Sequence, residues 1–218
     1  MRSKFPDCKF TFIEIDFPDI CALKTQKFLQ HPELSSLIPG EIVADQEIMT
    51  LTYKLLHGDL RDSAGIEGKL RGCTLKEAPT LIISECVFAY IEAEVVDELV
   101  QRVSSLFDHV GLIVYDIINP KDSFGKTMIS NLASRGIHLS GIHKYPTVLE
   151  QKNRYGRFFD RVQGFHMLEI YNSHVEPHEK HRIESLEIMD EFEEWDLLLK
   201  HYLILLACKG QLNLSLTP

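Results

Sequence analysis

Residues Phe10 to Asp16 alternate apolar and polar side chains (Phe-Thr-Phe-Ile-Glu-Ile-Asp) and stop at Phe17-Pro18. A period of two predicts a half-buried strand, and the proline marks a helix start, with the helix expected from Asp19 to Leu29. Mixed polarity from Pro32 to Gln46, broken by Pro39-Gly40, predicts a loop. A second short strand is predicted from Tyr53 to Asp59. After Pro79 comes a short apolar run, Thr80-Leu81-Ile82-Ile83-Ser84-Glu85, read as a buried parallel strand over Leu81 to Glu85 that ends on a carboxylate. Val95, Val96, Leu99, Val100, Val103 and Leu106 then fall on one stripe of a helix spanning Glu92 to Phe107. Val110 to Tyr115 is the next strand.

The second half of the chain changes character. Lys121 to Arg135 and Tyr145 to Tyr155 read as helices. Arg182 to His201 gives the clearest helical pattern, with Ile183, Leu186, Met189, Phe192 and Trp195 on one side. Tyr202 to Cys208 reads as a strand, Lys209-Gly210-Gln211 as a turn and Leu212 to Leu216 as an edge strand closing an antiparallel hairpin. Strands alternating with helices predict an α/β fold around a mostly parallel sheet. Neither a repeat nor a linker divides the chain, so residues 1–218 are expected to form a single domain.

Composition narrows the function classes. At 218 residues and 44% hydrophobic, the chain can bury one substantial core. It has no apolar run of bilayer length, and Met1 to Lys9 is polar, unlike a signal peptide. The net charge of −9 argues against a general nucleic-acid binder, since phosphate contacts need clustered Lys and Arg. Five scattered cysteines without a CxxC motif suit reduced thiols and a cytoplasmic location.

Three carboxylates fall at strand ends, where open α/β sheets bind ligands. Asp16 ends the first strand and is placed either to accept hydrogen bonds from ribose hydroxyls or to act as a helix N-terminal charge. Asp59 is either a second such ligand or a solvated turn carboxylate. Glu85 follows the most apolar run, where an unpaired charge would be costly to bury. Together the three are expected to converge on one crevice.

Two other motifs carry less. Phe124-Gly125-Lys126-Thr127 mimics the end of a phosphate-binding loop, but Pro120 stands where the first glycine belongs. His174, His178 and His181, with Glu176 and Glu179, have the composition of a metal cluster, but Pro177 interrupts the spacing, and a solvated polar loop is expected. No Ser-His-Asp or Cys-His nucleophile pattern stands out.

Phe12 to Pro18 (FIEIDFP), His57 to Asp62 (HGDLRD), Ser84 to Tyr90 (SECVFAY), Arg182 to Glu187 (RIESLE), His201-Tyr202 and Ala207 to Gly210 (ACKG) resemble segments of the leucine carboxyl methyltransferase family. The resemblance runs over nearly the whole chain. It implies a class I S-adenosyl-L-methionine-dependent methyltransferase, Rossmann-like with extra helices. The reaction implied is esterification of the C-terminal leucine of the type 2A protein phosphatase catalytic subunit. Asp16 then maps to the ribose ligand, Asp59 and Leu60 to the adenine contacts, Glu85 to the cofactor-site glutamate and Tyr90 to the residue facing the incoming carboxylate. No catalytic acid or base and no metal are implied, and a complete member is expected to be a monomer.

The family carries a Gly-rich turn, and an earlier arginine, upstream of the ribose aspartate. The fifteen residues before Asp16 contain no glycine. The chain is therefore expected to lack the family's first strand and N-terminal part, and to bind S-adenosylmethionine poorly by itself. Two alternatives stand beside this reading: the related tRNA wybutosine-pathway carboxyl methyltransferases, which would want a basic face for tRNA, and an inactive homologue acting as a binding protein.

Overall fold

The computed structural model describes residues 10–38, 47–187 and 190–216. It divides into two compact units, Met1–Gly72 and Cys73–Pro218, each with its own sheet.

In the first unit, β1 (Phe12–Asp16) runs parallel to β3 (Tyr53–His57), and the two-residue β2 (Ile48–Met49) adds antiparallel to the other side of β3. Helix α1 (Pro18–Gln30) starts on Pro18, whose fixed φ suits a first helical position, with Asp19 in the first turn where the helix dipole favours an anion. It buries Cys21, which packs with Ile48 and Leu55 and is flanked by Phe28 and Tyr53. A one-turn helix α2 (Pro32–Ser35) opens the segment expected to be a loop; Pro39-Gly40 and the rest of that segment to Gln46 lie outside the described residues. Helix α3 (Ser63–Arg71) was not legible in the sequence. Asp62 caps it by accepting the Gly65 N–H at 3.0 Å, and it buries Ile66 and Leu70.

In the second unit the strand order is β4-β5-β7-β6. β4 (Thr80–Glu85) is parallel to β5 (Val110–Ile117), and the long β7 (Tyr202–Lys209) is antiparallel both to β5 and to β6 (Arg161–His166). Helix α4 (Ala93–Ser105) joins β4 to β5 and buries Val96, Leu99, Val100 and Val103, the stripe expected from the sequence. Side chains alternate across a strand, so Leu112, Val114 and Asp116 share one face. Their β7 partners Ala207, Leu205 and Leu203 extend that buried row. Asp116 is the one charged residue in it.

Three expectations need correction. The helix predicted over Arg182 to His201 is broken: α8 (Pro177–Glu184) ends in a turn at Ser185, whose hydroxyl donates to the Arg182 carbonyl, and α9 (Phe192–Lys200) starts afresh. Its supposed buried stripe is largely exposed at Leu186 and Phe192, and Met189 lies outside the described residues. Leu212 to Leu216 is not a strand. Both edges of β7 are already taken by β5 and β6, so the expected hairpin has no edge to pair with. β5 also runs two residues beyond Tyr115, which places Asp116 inside the sheet.

Candidate functional site

The first unit brings together Asp16, Asp59 and Leu60. Asp16 is the last residue of β1, opposite His57 in register, and its carbonyl accepts the Gly58 N–H at 2.8 Å. Its Oδ1 accepts the N–H of Phe17 at 2.8 Å, which orients the carboxylate at the strand end. A Cβ at Gly58 would press on the Ile66 side chain of α3. Asp59, one residue on, sits in a tight turn. It accepts the backbone N–H of Arg61 at 2.9 Å and a two-pronged grip from that guanidinium at 2.9 and 2.5 Å. The Arg61 hydrogen bonds hold the Asp59 carboxyl below the usual carboxylate range. Beside this turn, the Lys69 ammonium donates to Glu47 and to His57 Nδ1, both at 2.6 Å. The same Glu47 oxygen lies 3.1 Å from His57 Nδ1, so the three side chains form one cluster.

Glu85 and Tyr90 belong to the second unit. Glu85 ends β4 and is exposed. The chain then turns at Cys86, a non-glycine residue with φ of 50°, whose N–H donates to the Tyr115 carbonyl at 2.8 Å. Burial, with the nearby Asp116 and Glu85 charges, pushes the Cys86 thiol up, so it stays protonated at neutral pH. A short 3₁₀ turn, Phe88–Tyr90, follows. Phe88 and Ala89 are buried while Tyr90 is 45% exposed. Tyr115 on β5 stacks on Tyr202 at the start of β7, with ring centroids 5.3 Å apart. Burial is the first cause raising both phenols.

Sequence reasoning missed several residues of this region. Asp116 accepts the Ala89 N–H at 2.9 Å and the Ile117 N–H at 2.8 Å. Asn119 takes a left-handed conformation (φ 58°) just past β5, and its side chain donates to the Lys200 carbonyl at 2.8 Å. His201 is buried, with Nε2 at 2.9 Å from Asp122 and Nδ1 at 2.7 Å from the Leu197 carbonyl. Apart from the local contacts to Ile117 and Leu197, each pairing spans at least 27 residues, and no local pattern signals it.

The two weaker motifs resolve into structure. In the P-loop mimic, Asp122 caps α5 (Ser123–Ala133) by accepting the Gly125 N–H at 2.7 Å, so a carboxylate already occupies that helix end. Gly125 is needed because a Cβ would collide with the backbone of Asn119 and Pro120. In the histidine segment, Pro177 starts helix α8 where a polar loop was expected, and Glu179 is paired with Arg182. Among the described residues no group of His, Cys, Asp and Glu could hold a metal ion, and no helix is long and apolar enough to cross a membrane.

Comparison with known proteins sets this geometry in a family. A family model described as leucine carboxyl methyltransferase matches residues 1–104. An Arabidopsis thaliana leucine carboxyl methyltransferase 1 homolog is 31% identical over 208 residues, covering 93% of this chain and 63% of the relative. The human tRNA wybutosine-synthesizing protein 4 is 32% identical over 203 residues, covering 90% of this chain and 30% of its own length. The chain thus spans less than two thirds of these relatives. Among solved structures, an O-methyltransferase family protein from Burkholderia thailandensis superposes with a TM-score of 0.52 at 12% identity, over 96% of this chain and 46% of that one, which establishes a shared fold. Residues 1–104 thus match the leucine carboxyl methyltransferase family model, and the chain is similar to members of that family over more than nine-tenths of its length.

Proposed function

We propose that the protein is an S-adenosylmethionine-dependent carboxyl O-methyltransferase that esterifies the C-terminal leucine of a type 2A protein phosphatase catalytic subunit in the cytoplasm. The observation that carries this reading is the 31% identity to a leucine carboxyl methyltransferase 1 homolog over 93% of the chain, with the strand-end carboxylates in place.

The residues present fit the acidic side of such a cofactor's site. Asp16 has one carboxylate oxygen fixed by the Phe17 N–H and would offer the other to the ribose hydroxyls. Leu60 would lie against the base. Asp59 can contact it through lone pairs left beside Arg61, and its lowered pKa keeps it ionised as an acceptor. Glu85 adds a negative charge to suit a cationic sulfonium, and Tyr90 would face the acceptor.

When bound, the cofactor supplies an electrophilic methyl group. A peptide α-carboxylate has a pKa of roughly 3.5 and is already ionised at neutral pH, so no side chain need act as a general base. The protein's task is to hold the carboxylate in line with the methyl and to exclude water. The buried Phe88 and Ala89 and the stacked Tyr115–Tyr202 pair give the second unit the apolar walls for this.

In a calorimetric titration with S-adenosylmethionine, Asp16→Ala should weaken binding by about 1.5–3 kcal/mol, the usual worth of a hydrogen bond to a charged group. Asp62→Ala, which removes only a helix cap, should leave affinity unchanged. Equal losses would remove Asp16 from the ribose.

A second reading is a tRNA carboxyl methyltransferase, favoured by the 32% identity to the human wybutosine-synthesizing protein. The net charge of −9 speaks against it, because tRNA binding is driven by phosphate neutralisation. Methyl transfer to tRNA but not to a leucine-terminated peptide would favour it.

A further inference from the structure

The 3₁₀ turn that carries Tyr90 is held from both sides through the backbone of one residue, Ala89. The Ala89 N–H donates to Asp116 Oδ2 at 2.9 Å, and the Ala89 carbonyl accepts the Gly141 N–H at 2.9 Å. Gly141 can come so close only because it has no side chain: a Cβ there would collide with the carbonyls of Phe88 and Ile91. Asp116 is 5% exposed and sits in an otherwise apolar row of the sheet. A leucine or valine would pack that position without the penalty of burying a carboxylate. The methyl-transfer mechanism as described makes no direct use of this group.

We propose that Asp116 is a positioning residue for the acceptor side of the site, its buried carboxylate fixing the Phe88–Tyr90 turn and thereby the place of Tyr90. The inference rests on the methyltransferase reading for what Tyr90 meets, but the clamp stands on the geometry of the second unit alone.

Burial pushes the Asp116 carboxyl up to about 6, against the lowering effect of the Ile117 and Ala89 N–H groups and of Arg154. The titratable and charged groups that face it are Arg154 and Tyr155 from helix α6 (Val148–Tyr155), Cys86 from the turn after β4, and Tyr202 from β7. Arg154 is itself bound to Asp97, so its charge is shared. As pH falls through about 6, protonation removes the anionic acceptor and the Ala89 N–H is held less firmly.

The test uses the full chain labelled with ¹⁵N. The Ala89 amide signal should titrate with a midpoint near 6, the value at which Asp116 protonates. In Asp116→Asn that midpoint should vanish and Ala89 should exchange roughly tenfold faster, while the Leu112 and Leu205 amides in the sheet keep their protection. Asp116→Glu, which keeps a carboxylate, should retain a pH-dependent Ala89 signal. An Ala89 amide with no midpoint in the unaltered protein overturns the clamp, and this arm decides even if the asparagine variant does not fold.

The functional arm measures methyl transfer, by the protein expressed from its complete gene, to a peptide ending in a free leucine carboxylate. Asp116→Asn and Tyr90→Ala should each raise the peptide KM several-fold with kcat little changed, and the unaltered protein should show the same rise as pH falls below about 6. A lost clamp with an unchanged KM overturns the positioning role. Absence of transfer by the unaltered protein overturns the methyltransferase reading, and with it the role assigned to Asp116 at an acceptor site, while the amide titration still answers for the clamp.

Discussion

The strands that carry the two acidic poles differ sharply in burial from the strand at the centre of the second unit. In β1 none of the five residues is buried, whereas six of the eight residues of β5 are, so the second unit has a packed interior where β1 has a surface. Among the described residues, β1 pairs on one side only, with β3, and β4 on one side only, with β5. Asp16 and Glu85 therefore both end edge strands of their own sheets. Edge strands leave N–H and C=O groups unpaired and are normally managed by short length, charge or cover. On β4, Leu81 and Ile83 are 48% and 57% exposed, which makes this an apolar edge strand. Both strand-end carboxylates thus sit on edge strands, away from the buried row of β5.

The largest effect should come from the buried ion pair of the second unit. Asp97 on α4 accepts from Arg154 Nε at 2.5 Å and from Arg157 at 2.6 Å, with the Arg154 side chain only 3% exposed. Arg154→Ala leaves the partly buried Asp97 carboxylate with Arg157 and the Tyr145 hydroxyl as its remaining named partners and should destabilise the unit by about 2–3 kcal/mol in denaturant unfolding. Burial pushes the Asp97 carboxyl up, but the hydrogen bonds from Arg157 and Arg154 outweigh it and hold the group below its ordinary value. The pair therefore stabilises the fold above the ordinary carboxylate pKa, and that contribution is lost as pH falls through the lower native value. Asp116 has the opposite sign. Its native pKa of about 6 lies above the ordinary 3.8, so its contribution to stability falls as pH rises between the two. Asp116→Asn should remove that part of the pH slope.

A second test addresses the edges. The 218-residue chain expressed by itself should self-associate with rising concentration in light scattering, through β1 and β4. A monodisperse monomer would contradict this expectation and show that β1 and β4 are protected by other means.

The smallest effect is a local one. Asp62→Ala removes the α3 cap and should lower stability by about 1 kcal/mol, read as faster amide exchange at Gly65 and Ile66 with β5 unaffected. An equal change in β5 would mean that the damage is not local.

What the sequence made legible follows from how local the signal is. β5 announces itself because a continuous apolar run marks a strand buried on at least one face, and α4 does so through its stripe; the apolar run of β4 marks a strand too, but not the buried one expected, since Leu81 and Ile83 are exposed. β6 (Arg-Val-Gln-Gly-Phe-His) gives no such signal: Arg161 and Gln163 face outward, and Gly164 has no side chain to declare a face. Helix α3 is hidden by two glycines, Gly65 and Gly68, and is recognisable mainly through its Asp62 cap. The strand-end positions of Asp16 and Glu85 could be read from where the apolar patterns stop. The role of Asp116 could not, because the strand was expected to end at Tyr115 and its partner Ala89 lies 27 residues away. The apparent single helix over Arg182 to His201 shows the converse failure, a helical period continuing through a break set by Ser185.

The central claim is carboxyl methylation of a C-terminal leucine, and its most direct test is transfer of labelled methyl from S-adenosylmethionine by the protein expressed from its complete gene. The acceptors are the type 2A phosphatase catalytic subunit and the same subunit lacking its last leucine. The account predicts base-labile label on the intact subunit and none on the shortened one. Equal labelling of the two, or label on neither, would contradict it.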